Sequence, residues 1–209
     1  MDKLLYKFFS LLIFLLSTST ALAGTMQVSI SGISSDAQLY LDFIDGGQPA
    51  NSLTLSSFSS DGAMTLKELN GSATATANGY EISDNSFLNG VALSLKNVTS
   101  LSFLISFTNN GPAIDNFLDS IGVYLYGDEY FNPLVPTDDP LGTNALFSWF
   151  ATGSGNGDLQ TFASLSASSL TWDVHFVDPH VPVSEPGTLL LMLLAMVSLH
   201  LLRMKNQEV

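Results

Sequence analysis

Residues 101–107 read Leu-Ser-Phe-Leu-Ile-Ser-Phe. Apolar side chains stand at 101, 103, 105 and 107, with serine at 102 and 106. An extended strand turns alternate residues to opposite faces, whereas a helix returns to one face every 3.6 residues. Only a strand therefore gathers Leu101, Phe103, Ile105 and Phe107 on one side. The same beat runs outward from this stretch. Upstream, residues 27–31 and 38–43 alternate, Leu53 and Leu55 alternate with Ser and Thr, and residues 91–95 follow suit. Downstream, residues 122–126, 146–150 and 171–176 continue the pattern. Gly, Asn and Asp fill the gaps, as turns require. At least eight such strands, several bearing aromatics, need a second layer to cover their apolar faces. The expected fold is mainly β: an antiparallel β-sandwich of jelly-roll type spanning residues 24–177. No fixed-period repeat is present, which argues against a solenoid or propeller.

Charge limits what this sandwich can meet. Between Gly24 and Gly187 only Lys67 and Lys96 stand against seventeen Asp and Glu, a formal charge of −15. Nucleic-acid binding needs clustered Lys and Arg to displace counterions, so no nucleic-acid partner is expected. The chain has no cysteine, which removes disulfides, thiolate metal sites and cysteine nucleophiles together. A body of this length forms a core without disulfides.

The two ends carry a different message. Lys3 and Lys7 precede a nine-residue apolar run, Phe8 to Leu16, and Ala21-Leu22-Ala23 then offers small residues either side of Leu22 before Gly24. This is the pattern of a signal peptide over residues 1–23, cleaved after Ala23. Its partners are signal peptidase and the export machinery. At the other end, residues 178–186 form a proline-rich linker containing Pro182, Ser184, Glu185 and Pro186. Residues 187–202 are uncharged and rich in leucine, and the tail over 203–209 begins with Arg203 and Lys205. Sixteen helical residues rise about 24 Å, short of a roughly 30 Å hydrocarbon core, but snorkelling of the basic pair makes up the deficit. A single transmembrane helix is expected there, with Arg203 and Lys205 as membrane-stop charges on the cytoplasmic side.

Proline-rich spacer, Glu-Pro, short leucine-rich helix and basic tail, in that order, resemble the PEP-CTERM sorting signal of exosortase-processed bacterial surface proteins. The family signature is Pro-Glu-Pro; here Ser184 replaces the first proline. The resemblance covers residues 181–209. It implies an exosortase-type membrane enzyme as partner. It also implies a precursor held in the inner membrane, then moved to the cell surface or outside. Tyr40-Leu41-Asp42-Phe43 and Pro136-Thr137-Asp138-Asp139-Pro140-Leu141-Gly142 are similar to a recurrent group of PEP-CTERM proteins that carries no assigned activity.

Chemistry within the body is sparse. His175 alternates with Asp173 in an expected strand and His180 lies in the linker, but no Gly-x-Ser-x-Gly elbow accompanies them. Acid-rich loops at residues 42–47, 127–129, 138–139 and 155–158 lack the Asp-x-Asp-x-Asp-Gly calcium spacing. Asp138 and Asp139 are the best candidate calcium donors, though Asp also belongs in ordinary turns. Trp149, Trp172, Tyr124, Tyr126 and Tyr130 are available for a sugar. The tryptophans sit in apolar strands that suggest core, and Tyr124 and Tyr126 share one face, as core layer or as platform. The expectation is an exported, non-enzymatic surface or matrix protein with no cofactor and no catalytic or metal residues. The alternative is a module binding extracellular polysaccharide, and a secreted hydrolase ranks third.

Overall fold

The computed structural model describes residues 22–47, 50–110, 117–127, 132–153 and 156–177. Among them are twelve strands and no helix. They are β1 (Leu22–Ser31), β2 (Ala37–Ile44), β3 (Ser52–Ser60), β4 (Ala63–Asn70), β5 (Ala73–Thr76) and β6 (Gly79–Ser83). β7 (Leu88–Lys96), β8 (Ser100–Asn109), β9 (Ser120–Tyr126), β10 (Phe147–Phe150), β11 (Asp158–Thr161) and β12 (Thr171–Phe176) follow. Two six-stranded antiparallel sheets result. Sheet A runs β12-β1-β8-β3-β6-β5, and sheet B runs β11-β10-β9-β2-β7-β4.

The opening stretch lies in β8, whose Leu101, Phe103, Ile105 and Phe107 are all buried. They meet Met26, Val28 and Ile30 of β1 and Leu53 and Leu55 of β3 in one core with residues of sheet B. Sheet B supplies Leu39, Leu41 and Phe43 from β2, with Val91, Leu93 and Leu95 from β7. Ile121, Val123 and Leu125 come from β9, and Phe147 and Trp149 from β10. The rings of Phe107 and Trp149, one from each sheet, lie 4.2 Å apart. Burying a large apolar side chain of this kind contributes about 2 kcal/mol. The sandwich expected from alternation is present.

Pairing is nested. β1 joins β8, β2 joins β7 and β3 joins β6, so the first three strands pair in reverse order with the sixth to eighth. Four strands carry no clear alternation: β4, β5, β6 and β11. Three of these, β4, β5 and β11, are sheet edges, where one neighbour is missing and apolar demand is weak.

Strand β1 begins at Leu22, ahead of the expected cleavage after Ala23. Leu22 pairs with Asn109, Ala23 with Thr108 and Gly24 with Phe107. Cleavage there removes two pairs and leaves residues 24–31 in the sheet. Ala21, the linker residues Pro182, Ser184, Glu185 and Pro186, and Arg203 and Lys205 lie outside the described residues, as do His180 and Tyr130. Among the described residues no helix is long and apolar enough to cross a membrane.

Candidate functional site

The side of β2 that faces away from the core carries Gln38, Tyr40 and Asp42, alternating with Leu39, Leu41 and Phe43. Its neighbours bring matching rows across sheet B. Gly90 of β7 and Gly122 of β9 flank Asp42, Ala92 and Tyr124 flank Tyr40, and Ser94 and Tyr126 flank Gln38. Three tyrosines thus converge. Tyr124 and Tyr126 stack with centroids 6.0 Å apart, and Tyr126 meets Tyr40 edge-on at 5.4 Å. Both geometries suit the ring quadrupole. Tyr40 is buried, whereas Tyr124 and Tyr126 are half-buried.

A bulge in β4 between Leu66 and Glu68 re-aims Lys67 toward this cluster. Its ammonium donates to Gln38 Oε1 and, at 3.0 Å, to Tyr40 Oη. It also sits 5.5 Å from the Tyr40 ring centroid, a cation–π distance. Tyr40 Oη donates in turn to Gln38 Oε1 at 3.2 Å.

Asp42 behaves differently. The half-buried carboxylate accepts no hydrogen bond from a described residue, and burial alone pushes its pKa up to about 6. Glycine in a strand interior usually marks close approach, and both flanking glycines do so here. A Cβ on Gly90 would lie 2.9 Å from Asp42 Oδ1, and a Cβ on Gly122 would lie 2.7 Å from Tyr124 Cζ. The carboxylate therefore leans over one glycine and the Tyr124 phenol over the other. Burial, then the charge of Asp42, raise the Tyr124 pKa, while a side-chain hydrogen bond with Thr143 pulls it back. The result is an aromatic face holding one acceptor without a donor among the described residues.

Beside this face lie Asp139 and Thr143 of the connection between β9 and β10. Asp139 anchors it: Oδ1 accepts from Leu141 N at 2.9 Å, and Oδ2 from Thr143 N at 3.0 Å and from Thr143 Oγ1. Burial raises the Asp139 pKa, but these donors outweigh it and hold the carboxyl below the usual range. Asp138 accepts from Ala163 N at 2.6 Å. Both carboxylates considered as calcium donors are thus committed to backbone N–H groups. Among the described residues no three His, Asp or Glu gather as a metal site.

The remaining candidates divide cleanly. Trp149 is fully buried and its indole donates to Asn156 O at 2.7 Å, and Trp172 packs against the core. His175 Nδ1 lies 2.8 Å from Asp173 Oδ2 on edge strand β12, with both side chains mostly exposed. A cleft beside β4 is lined by Phe58, Met64, Leu66 and Tyr80, but Phe58 stacks on core residue Phe103 at 5.3 Å and no charged group enters it. Sequence reasoning identified Tyr124 and Tyr126 but not their grouping with Asp42, Tyr40 and Lys67. The available signal was a glycine opening one strand run, Gly122, and another just ahead of a second run, Gly90. Comparison with protein-family models, with curated proteins and with solved structures yields no match to this chain.

Proposed function

We propose that this chain is an exported cell-surface protein whose sandwich binds extracellular polysaccharide through the tyrosine face of sheet B. The observation that carries the binding reading is Asp42, an acceptor without a donor among the described residues, set between Gly90 and Gly122 beside stacked tyrosines. A sugar ring offers an apolar C–H face to an aromatic ring and hydroxyl donors to a carboxylate, so this pairing suits it. Binding is favoured over hydrolysis of the Ser–His–Asp type because the His–Asp pair described is exposed on an edge strand.

The ends supply the route. A signal peptide over residues 1–23, a transmembrane helix over 187–202 and the PEP-CTERM-like motif at Ser184-Glu185-Pro186 support export, retention in the inner membrane and exosortase-type processing. The nested pairing of β1 with β8, β2 with β7 and β3 with β6 supports a jelly-roll reading of the sandwich, an architecture that lectin domains also use.

Affinity electrophoresis tests the binding reading. Full-length protein in detergent is run through gels with and without polysaccharide extracted from the producing cells. Retardation by the polysaccharide is expected for the wild type and at least tenfold weaker for Tyr124→Ala/Tyr126→Ala. Equal retardation of the two proteins, or none for the wild type, contradicts the reading.

A further inference from the structure

We propose that the polysaccharide recognised at this face carries free amino groups, and that Asp42 receives one of them as an ammonium. The inference rests on the glycan reading above and specifies its chemical class. Three observations lead to it.

The first is an absence of neutralisation. A half-buried carboxylate normally has a cation or several N–H donors near it, and Asp42 has neither among the described residues. Lys67 is engaged with Gln38 and Tyr40, Lys96 lies six residues along β7 from Gly90, and burial is the influence that shifts Asp42. No arginine occurs between Gly24 and Gly187. A cationic ligand group would supply the partner that the described residues do not.

The second observation is shape. Gly90 and Gly122 add no side chain beside Asp42 in its row; the carboxylate itself lies over Gly90 and the Tyr124 phenol over Gly122. A primary ammonium on a sugar ring is compact, and a charge-assisted bond to the carboxylate is roughly twice as strong as one from a neutral hydroxyl.

The third is the field around the site. From β4, Lys67 and Glu68 share this face; from β9, Tyr124 and Tyr126; from the β9–β10 connection, Asp139; from β2 itself, Tyr40. β7 contributes Gly90, Ala92 and Ser94, with Lys96 at its far end opposite Ala63. The exported body carries −15, so a uronate or sulfated chain is repelled and a cationic one attracted. Because the Asp42 carboxyl titrates near 6, affinity rises as the pH passes that value. It falls again once the ligand amine loses its proton.

The test titrates full-length protein in detergent, at about pH 6.3, where the Asp42 carboxyl and a glucosamine amine are both substantially charged, with three oligomers of equal length: glucosamine, N-acetylglucosamine and glucose. The expected result is at least tenfold tighter binding of the glucosamine oligomer than of the other two. Asp42→Asn, nearly isosteric, removes that preference, and Asp173→Asn on the opposite sheet retains it. Equal affinity of the wild type for all three oligomers overturns the amine assignment and leaves the glycan face standing. A preference that survives Asp42→Asn overturns it too, because general attraction to an acidic protein then explains the binding. Failure of every oligomer to bind also overturns it, while the electrophoresis with the cell's own polysaccharide judges the broader reading separately.

Discussion

Burial raises the Asp42 carboxyl from 3.8 to about 6, so ionising this residue at neutral pH works against folding. A group whose pKa is higher in the folded than in the unfolded state stabilises fully below the unfolded value, and loses that contribution as the pH rises through the folded one. Between about pH 4 and pH 6 the protein therefore gives up roughly 2 kcal/mol, allowing for partial exposure. Asn at this position stays neutral. Asp42→Asn is predicted to be more stable than the wild type by about 2 kcal/mol at pH 7 and equal to it near pH 4, read from urea unfolding at both values. A destabilised Asp42→Asn at pH 7 would show that the carboxylate is satisfied in solution. Stability given up for an unpaired charge is what a binding residue looks like. Sequence alone places Gln38, Tyr40 and Asp42 on one face, since a period of two leaves no other arrangement. It does not reveal Gly90 and Gly122 as the flanking residues, because those neighbours appear only once the registers of β7 and β9 are fixed. Asp138 and Asp139 illustrate the opposite case: an acidic pair in a loop looks the same in sequence whether it holds a cation or its own backbone.

Strand connections show the same economy of acids. Asp61, in the turn between β3 and β4, accepts from Thr99 Oγ1, from Thr99 N at 2.8 Å and from Ser100 N at 3.0 Å. One side chain thus ties the β3–β4 turn of one end to the β7–β8 turn beside it. The Thr99 hydroxyl, then the two backbone donors, hold this carboxyl far below the usual range. A depressed pKa contributes stability that is present above the unfolded value and lost as the pH falls toward the folded one. Asp61→Ala is accordingly predicted to lower the melting temperature at pH 7, with the difference from the wild type shrinking as the pH drops below about 4. A difference that is constant across pH would point to packing instead of charge. Elements themselves were legible in proportion to their burial. β8 and β2 announce themselves because every second residue enters the core. β4 contains Lys67 and Glu68 and lies at an edge, β6 opens on glycine, and β11 reads Asp-Leu-Gln-Thr with one apolar side chain. Their place in the sheets comes from backbone pairing with stronger neighbours, a tertiary effect that local pattern does not carry.

At the scale of the molecule, both ends of the sandwich leave from one edge of sheet A. β1 and β12 are paired neighbours, and Val177 N donates to Thr25 O at 2.8 Å. The junction with the proposed signal peptide and the junction with the proposed sorting tail therefore lie side by side. Shortening β1 to residues 24–31 keeps every pair it makes with β12, from Met26–Phe176 to Ser31–Thr171, so a mature chain starting at Gly24 retains its closing strand. A polysaccharide-binding face has a purpose only if the body is delivered outside. Intact mass of the protein recovered from membrane and from medium tests that claim most directly. The expected medium form begins at Gly24 and ends before Gly187, and Glu185→Ala holds the protein in the membrane with Val209 still attached. Protein found only as the full chain from Met1 to Val209, in every fraction, would contradict it.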